Sequence, residues 1–191
     1  MGVYIDAGSR YERPWVPGES GVSHLLDRMA FKSTKGRTAE DMEQLIQAVG
    51  GNVMCSSSRE TIMYQSSVFN QDIRTVLDVF ADTIQNPVMD ANELGVQREA
   101  TAWEVSEIWS KPEMILPEIV HAVAYQNNTL GHPLLCPMEN LDIVTTDNLR
   151  DFMRAWYRPE RLGVAGVGMS PADMVAQATE LFGGMRAAPQ D

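Results

Sequence analysis

Residues 21–34 read GVSHLLDRMAFKST. This stretch contains a candidate site, and the segments on either side of it predict the fold. The preceding segment, SRYERPWVPGESG at residues 9–21, contains two prolines and two glycines, which is typical of a loop. A helix is therefore predicted to begin near Ser20. His24 and Arg28 are four residues apart, so their side chains lie on one face of that helix.

Strands and helices are predicted on both sides of this stretch. Val3, Ile5 and Ala7 share one face of a first strand, and the β-rich runs at residues 52–58 and 60–69 predict an antiparallel pair. Apolar periodicity and end signals predict helices over residues 38–49, 72–86, 90–109, 113–125, 145–157 and 170–184. This order favours an α+β fold, with an antiparallel-rich sheet and helices packed on one of its faces.

A glycine-rich strand is also predicted near the end of the chain. The sequence RLGVAGVGM at residues 161–169 contains Gly163, Gly166 and Gly168, whose spacing indicates a closely packed strand.

Length and charge restrict the class of protein. A chain of 191 residues is long enough for one core and favours a single globular domain. The formal charge of −11 argues against unaided nucleic-acid binding, because phosphate neutralisation needs surplus cations. No apolar run approaches the roughly 18 residues that span a bilayer. Two cysteines, Cys55 and Cys136, indicate neither a disulfide scaffold nor a zinc ribbon.

The beginning of the chain predicts that it is part of a larger fold. No secretory or Arg-rich leader is apparent, and the first strand starts directly after Met1 without a turn or cap. A leading strand is therefore expected to be missing.

The HLLDR sequence at residues 24–28 is close to the inverted zinc motif H-x-x-E-H. In that motif two histidines on one helical face bind Zn²⁺, while the glutamate polarises the bound water. Here only His24 matches a ligand. Arg28 stands at the second histidine position, and a guanidinium stays protonated and has no lone pair for a metal. Asp27 stands at the base position with a side chain one methylene shorter than glutamate. We therefore expect neither metal binding nor catalysis.

Three other residues could replace the missing ligands. His121 lies within a predicted helix, whereas His132 precedes Pro133 in a loop and is four residues from Cys136. The intervening proline disfavours a helical pair of ligands there. A compensating metal site is therefore not expected.

Three segments together resemble a known family: GVYIDAGSRYE at residues 2–12, the opening stretch, and AYQNNTLGHPL at residues 124–134. The chain resembles the mitochondrial processing peptidase family within the M16 (pitrilysin-type, inverted-zincin) metallopeptidases, and more narrowly its non-catalytic alpha subunits. The resemblance covers nearly the whole chain. It implies one M16-type (LuxS/metallohydrolase-like) domain. Residues 1–191 would be a partial N-terminal domain without the leading strand and the C-terminal half.

The resemblance also implies the roles of the site residues. Catalytic members take a third zinc ligand from a glutamate on a later helix, and Glu104 stands 76 residues after Arg28. His24, Arg28 and Glu104 would then correspond to ligand positions, and Asp27 to the base position. No catalytic residue and no zinc are expected in this chain, since the zinc would be in a partner subunit.

The partners follow from the same resemblance. A zinc-containing beta subunit would cleave the basic presequences of imported precursor proteins, which the alpha subunit recognises, in the mitochondrial matrix or at the inner membrane. The glycine-rich presequence-handling loop of alpha subunits lies in their C-terminal half and is not found here. Two alternatives are a structural core subunit of the cytochrome bc1 complex and a metallopeptidase with atypical ligands.

Charge is unevenly distributed along the chain. Residues 78–107 contain seven acids and one base, whereas residues 10–37 contain six bases and three acids. Two interpretations remain open: two solvated faces, or an acidic surface that attracts a basic peptide.

Overall fold

An antiparallel sheet forms one layer of the computed structural model, which describes residues 1–187. Its strands are β1 (Gly2–Ile5), β2 (Asn52–Ser57), β3 (Ile62–Ser67) and β4 (Leu162–Ala165), in the order β2-β3-β1-β4. Val3 pairs with Tyr64 on one side and with Val164 on the other. Since side chains alternate along a strand, Val3 and Ile5 are buried while Tyr4 is exposed. The predicted sheet with one buried face is confirmed.

Seven α-helices lie within residues 1–187. They are α1 (Val22–Arg28), α2 (Ala39–Val49), α3 (Ile73–Gln85), α4 (Ala91–Trp109), α5 (Pro112–Ala124), α6 (Thr146–Trp156) and α7 (Pro171–Phe182). Each coincides with a helix predicted from the sequence, to within about two residues at most ends. The predicted α+β class is therefore confirmed.

Local capping chemistry sets the helix boundaries. Thr38 and Asp41 form a reciprocal capping box at the start of α2, and Gly50 ends that helix in the left-handed conformation with φ of 63°. The Asp90 side chain accepts hydrogen bonds from the first turn of α4. These bonds satisfy backbone groups that have no partner inside a helix.

The helix α3 provides the centre of the core. Its apolar face, predicted from the sequence, includes Leu77 and Phe80, both with no exposed surface. The Phe80 ring lies 6.2 Å from that of Tyr64 on the sheet and 6.0 Å from that of Phe31. Aromatic side chains therefore join α3 to the sheet and to the segment after α1.

The predicted glycine-rich strand is shorter than expected. β4 ends at Ala165, and Gly163 has no atom within 4 Å of the position that a Cβ would occupy, so close packing was wrong there. A Cβ on Gly166 would lie 2.0 Å from Met174 of α7. Gly168 has φ of 90°, a conformation that turns the chain toward α7. These two glycines therefore serve the approach to α7 rather than the strand.

None of the helices within residues 1–187 combines the length and apolarity needed to cross a lipid bilayer.

Phe80→Ala tests the aromatic centre of the core. Loss of the buried ring should lower the free energy of unfolding by about 3–5 kcal/mol, because transfer and cavity costs add. Phe69→Ala is the matched control, since Phe69 is 75% exposed, and should change stability by less than about 0.5 kcal/mol. Urea denaturation measures both. Equal effects of the two substitutions would contradict the described core.

Candidate functional site

The structure brings the predicted site residues together where α1 meets α4. His24 and Arg28, one turn apart on α1, both approach the carboxylate of Glu104 on α4. Arg28 Nη2 lies 2.7 Å from one oxygen, and His24 Nε2 lies 3.5 Å from the other. The three residues at the candidate ligand positions, His24, Arg28 and Glu104, thus contact one another.

Arg28 is the firmer of the two partners of Glu104. Its contact is a charge-assisted hydrogen bond, whereas the longer His24 contact does not meet hydrogen-bond geometry. His24 and Arg28 together hold the pKa of Glu104 below its usual value, against the opposing effect of partial burial. The carboxylate is therefore ionised and neutralised by the chain itself.

A backbone contact decides the protonation of His24, whose ring is 3% exposed. The amide N–H of Cys136 donates to His24 Nδ1 over 3.0 Å. A nitrogen that accepts a hydrogen bond carries a lone pair, so the proton of the neutral ring is on Nε2. Nε2, the nitrogen that faces Glu104, then has no lone pair for a metal. The donor set of His24, Arg28 and Glu104 therefore does not fit a zinc ion.

Asp27 contacts the sheet on one side and Arg28 on the other. Its Oδ2 accepts hydrogen bonds from the Ser57 amide, at 2.9 Å, and from the Ser57 hydroxyl, at 2.6 Å. Arg28 Nε lies 3.2 Å from the other oxygen. Burial raises the pKa of Asp27, and the Ser57 and Arg28 contacts oppose that shift. In this position Asp27 links α1 to β2.

Glu12, which the sequence pattern did not identify, anchors the start of α1. Its carboxylate accepts hydrogen bonds from the amides of Gly21 and Ser23, both at 2.8 Å, and from the Ser23 hydroxyl at 2.5 Å. Burial raises the pKa of Glu12 to about 7 even though these bonds favour the charged form. One sequence feature could have indicated this role. The residue that caps α1 is Gly21, which has no side chain to accept hydrogen bonds, and Glu12 is a nearby acceptor in the preceding loop.

The two candidate replacement histidines contact backbone carbonyls away from the site. His132 Nδ1 lies 3.2 Å from the Ser9 carbonyl, and His121 Nδ1 lies 2.8 Å from the Pro117 carbonyl. The Cys136 thiol is buried, and burial raises its pKa to about 12. Across residues 1–187, His, Cys, Asp and Glu side chains form no group of three suited to a metal.

The two charged stretches pair with each other. Arg37 forms ion pairs with Asp78 and Asp82, and Arg28 pairs with Glu104. Three of the seven acids are thus neutralised by the basic stretch. The acidic stretch is therefore less available to a basic peptide than its composition suggests.

Two family models match the chain. The sequence model described as insulinase (peptidase family M16) matches residues 1–138, and the model described as the peptidase M16 inactive domain matches residues 144–191. The chain belongs to peptidase family M16.

The related M16 sequences include processing peptidase subunits. The chain is 49% identical to the mitochondrial-processing peptidase subunit alpha of Neurospora crassa over 98% of its own length and 32% of the relative. It is 40% identical to the probable alpha subunit of Schizosaccharomyces pombe, over 96% of the chain and 36% of the relative. It is 33% identical to the human mitochondrial-processing peptidase subunit beta, over 88% of the chain and 34% of the relative. These names confirm the inferred resemblance and do not support the two alternatives.

The chain spans about a third of the length of these curated relatives. The prediction that residues 1–191 form a partial M16 N-terminal domain stays a prediction.

A solved structure of another protein shows the same fold. A protease from Helicobacter pylori superposes with a TM-score of 0.87 at 22% identity, over the whole of this chain and 45% of that one. At this identity the likeness concerns the fold alone.

The tautomer of His24 can be measured directly. Nitrogen-15 NMR should show a proton on Nε2 and none on Nδ1, because the Cys136 amide donates to Nδ1. Zinc in about tenfold excess should leave these signals unchanged, since zinc sites need several lone-pair donors. Partly exposed His121 is the internal control. A proton on Nδ1, or loss of the Nε2 proton when zinc is added, would contradict the assigned network.

Glu12 should make stability depend on pH. Its folded pKa of about 7 exceeds the ordinary value of 4.5, so the folded state binds the extra proton and loses stability as pH rises through 7. Relative to Glu12→Gln, the wild type should lose about 1–3 kcal/mol of unfolding free energy between pH 5 and pH 8.

Urea titrations at several pH values measure this difference. Glu43→Gln, at an exposed position on α2, is the control for loss of one carboxylate. A difference between wild type and Glu12→Gln that stays constant with pH would contradict the raised pKa.

Proposed function

We propose that this chain is the N-terminal part of a non-catalytic alpha-type subunit of a mitochondrial processing peptidase. It assists recognition of basic presequences, which a zinc-containing beta partner cleaves in the mitochondrial matrix. Support for the class comes from the identity to alpha subunits and from the match to the M16 inactive domain.

One observation supports the absence of catalysis most strongly. Arg28 places a permanent positive charge beside Glu104, where the zinc motif would need a second histidine. The adjacent His24 presents a protonated Nε2, and the Asp27 carboxylate is bound to Ser57. At these positions the chain therefore offers neither a full set of zinc ligands nor a free base.

An exposed surface on α4 and α5 supports a recognition role. Several apolar side chains there are exposed, including Trp103 at 80%, Val123 at 73% and Val96 at 62%. Exposed carboxylates accompany them on the same two helices, at Glu99, Glu107 and Glu113. Presequences are amphipathic and Arg-rich. An apolar surface with acidic neighbours suits both faces of such a helix.

Reconstitution with a catalytic beta partner tests the proposal. Cleavage of a presequence peptide should be faster with both chains than with either alone, and a chelator should abolish it. With Glu104→Gln in this chain, the cleavage rate of the mixture should stay within about twofold of the wild-type mixture, because the zinc is bound by the partner.

The informative control is the same Glu→Gln change at the corresponding ligand of the partner, which should abolish cleavage. Chelator-sensitive cleavage by this chain alone would contradict the proposal. So would a mixture no faster than the partner by itself.

A further inference from the structure

A cavity lies apart from the α1–α4 site. Its volume is about 730 Å³, and it is formed by the end of α3, by α6 and the residues after it, and by the segment that follows α7. It has none of the residues of the His24 site in its walls. The volume is within the range of small-molecule sites.

Cations converge on this cavity from three parts of the chain. Arg150, Arg154 and Arg158 follow one another at intervals of four along and beyond α6, and Lys35 and Arg186 approach from the loop before α2 and the segment after α7. These are five of the 15 basic residues of a chain with net charge −11. Among the described lining residues none is acidic. Such a concentration of one charge favours an anionic ligand.

Few of these cations are neutralised within the chain. Arg154 pairs only with Asp151, and its side chain is 72% exposed, so that pair is weak. The side chains of Lys35 and Arg186 have no hydrogen bond or ion pair with residues 1–187. Arg158 Nε is buried without an acceptor. Lys35, Arg154 and Arg186 are exposed and available to an anionic ligand, whereas Arg158 Nη1 already donates to the Ala187 carbonyl at 3.3 Å.

Arg150 holds the wall of the cavity in place. Its Nη2 donates to the carbonyls of Val88 and Met89, both at 3.0 Å, while Nη1 donates to Asp147 at 2.8 Å. Nη1 also donates to the Thr146 hydroxyl at 3.2 Å, so the cation is fixed in position by four contacts. A fixed cation loses less conformational entropy when it binds a ligand.

We propose that this cavity binds a phosphate ester. Phosphate carries up to two charges and several acceptor oxygens, which suits a set of arginines and a lysine better than a single carboxylate does. The apolar side chains of Ile84, Met153 and Met185 also line the cavity and would contact the organic part of the ligand. A basic presequence is repelled by the same cations, so this site is separate from the proposed peptide recognition.

Two sources share this chemistry, the headgroup of an anionic phospholipid and a soluble organic phosphate. Pyrophosphate, followed by isothermal titration calorimetry, represents the soluble source. Phosphatidylcholine vesicles with about one fifth phosphatidylglycerol, followed by co-sedimentation, represent the lipid.

The double variant Lys35→Glu/Arg154→Glu tests the cavity, because both side chains are exposed and neither holds the core. It should weaken binding of the effective probe by roughly tenfold or more, from the loss of hydrogen bonds to charged groups. Lys32→Glu/Lys111→Glu changes the net charge equally outside the cavity and should stay within about twofold of wild type. Circular dichroism checks that both variants fold.

Each result decides the proposal. Saturable pyrophosphate binding that the cavity variant loses and the control keeps supports a soluble phosphate ester. Vesicle binding with the same dependence, without pyrophosphate binding, supports a lipid headgroup. If neither probe binds, or if the two double variants weaken binding equally, the proposal is overturned. These assays need no partner subunit or presequence, so their outcome is independent of the proposed processing function.

Discussion

The burial of polar groups around α1 is the constraint on which the rest of the site depends. This helix has only seven residues, yet its His24 side chain is almost completely buried. Buried polar groups without partners are costly, so each must find a partner in another element. The partners come from the loop before α1, from β2, from α4 and from the loop before α6. One short helix thereby fixes the relative positions of four other parts of the chain.

That constraint explains why the catalytic positions of the motif have structural roles here. The carboxylate at the base position is bound by the sheet, and the arginine at a ligand position neutralises the acid that would otherwise help to bind zinc. A carboxylate at position 104 without a cation would be unfavourable in this partly buried setting. One ion pair therefore places a guanidinium at a ligand position of the motif and also stabilises the α1–α4 contact.

Much of the fold could be predicted because its signals are local. Apolar periodicity located α3, and Thr38 with Asp41 located the start of α2. The distance between Arg28 and Glu104 in sequence was also informative, but only beside the family resemblance. The Cys136 amide that sets the His24 tautomer could not be predicted, because every residue except proline has such a group and the sequence does not mark its direction. The glycine-rich strand failed for a related reason, since glycine spacing is the same for close packing and for a turn.

The Arg28–Glu104 pair also determines what the site needs in order to form. In a metal centre the balancing charge must be captured from the surroundings, and binding of that ion contributes to folding. Here the balancing charge is synthesised with the chain and cannot dissociate from it. The contact between α1 and α4 can therefore form as soon as both helices exist, and the charge of Glu104 is balanced without a divalent ion.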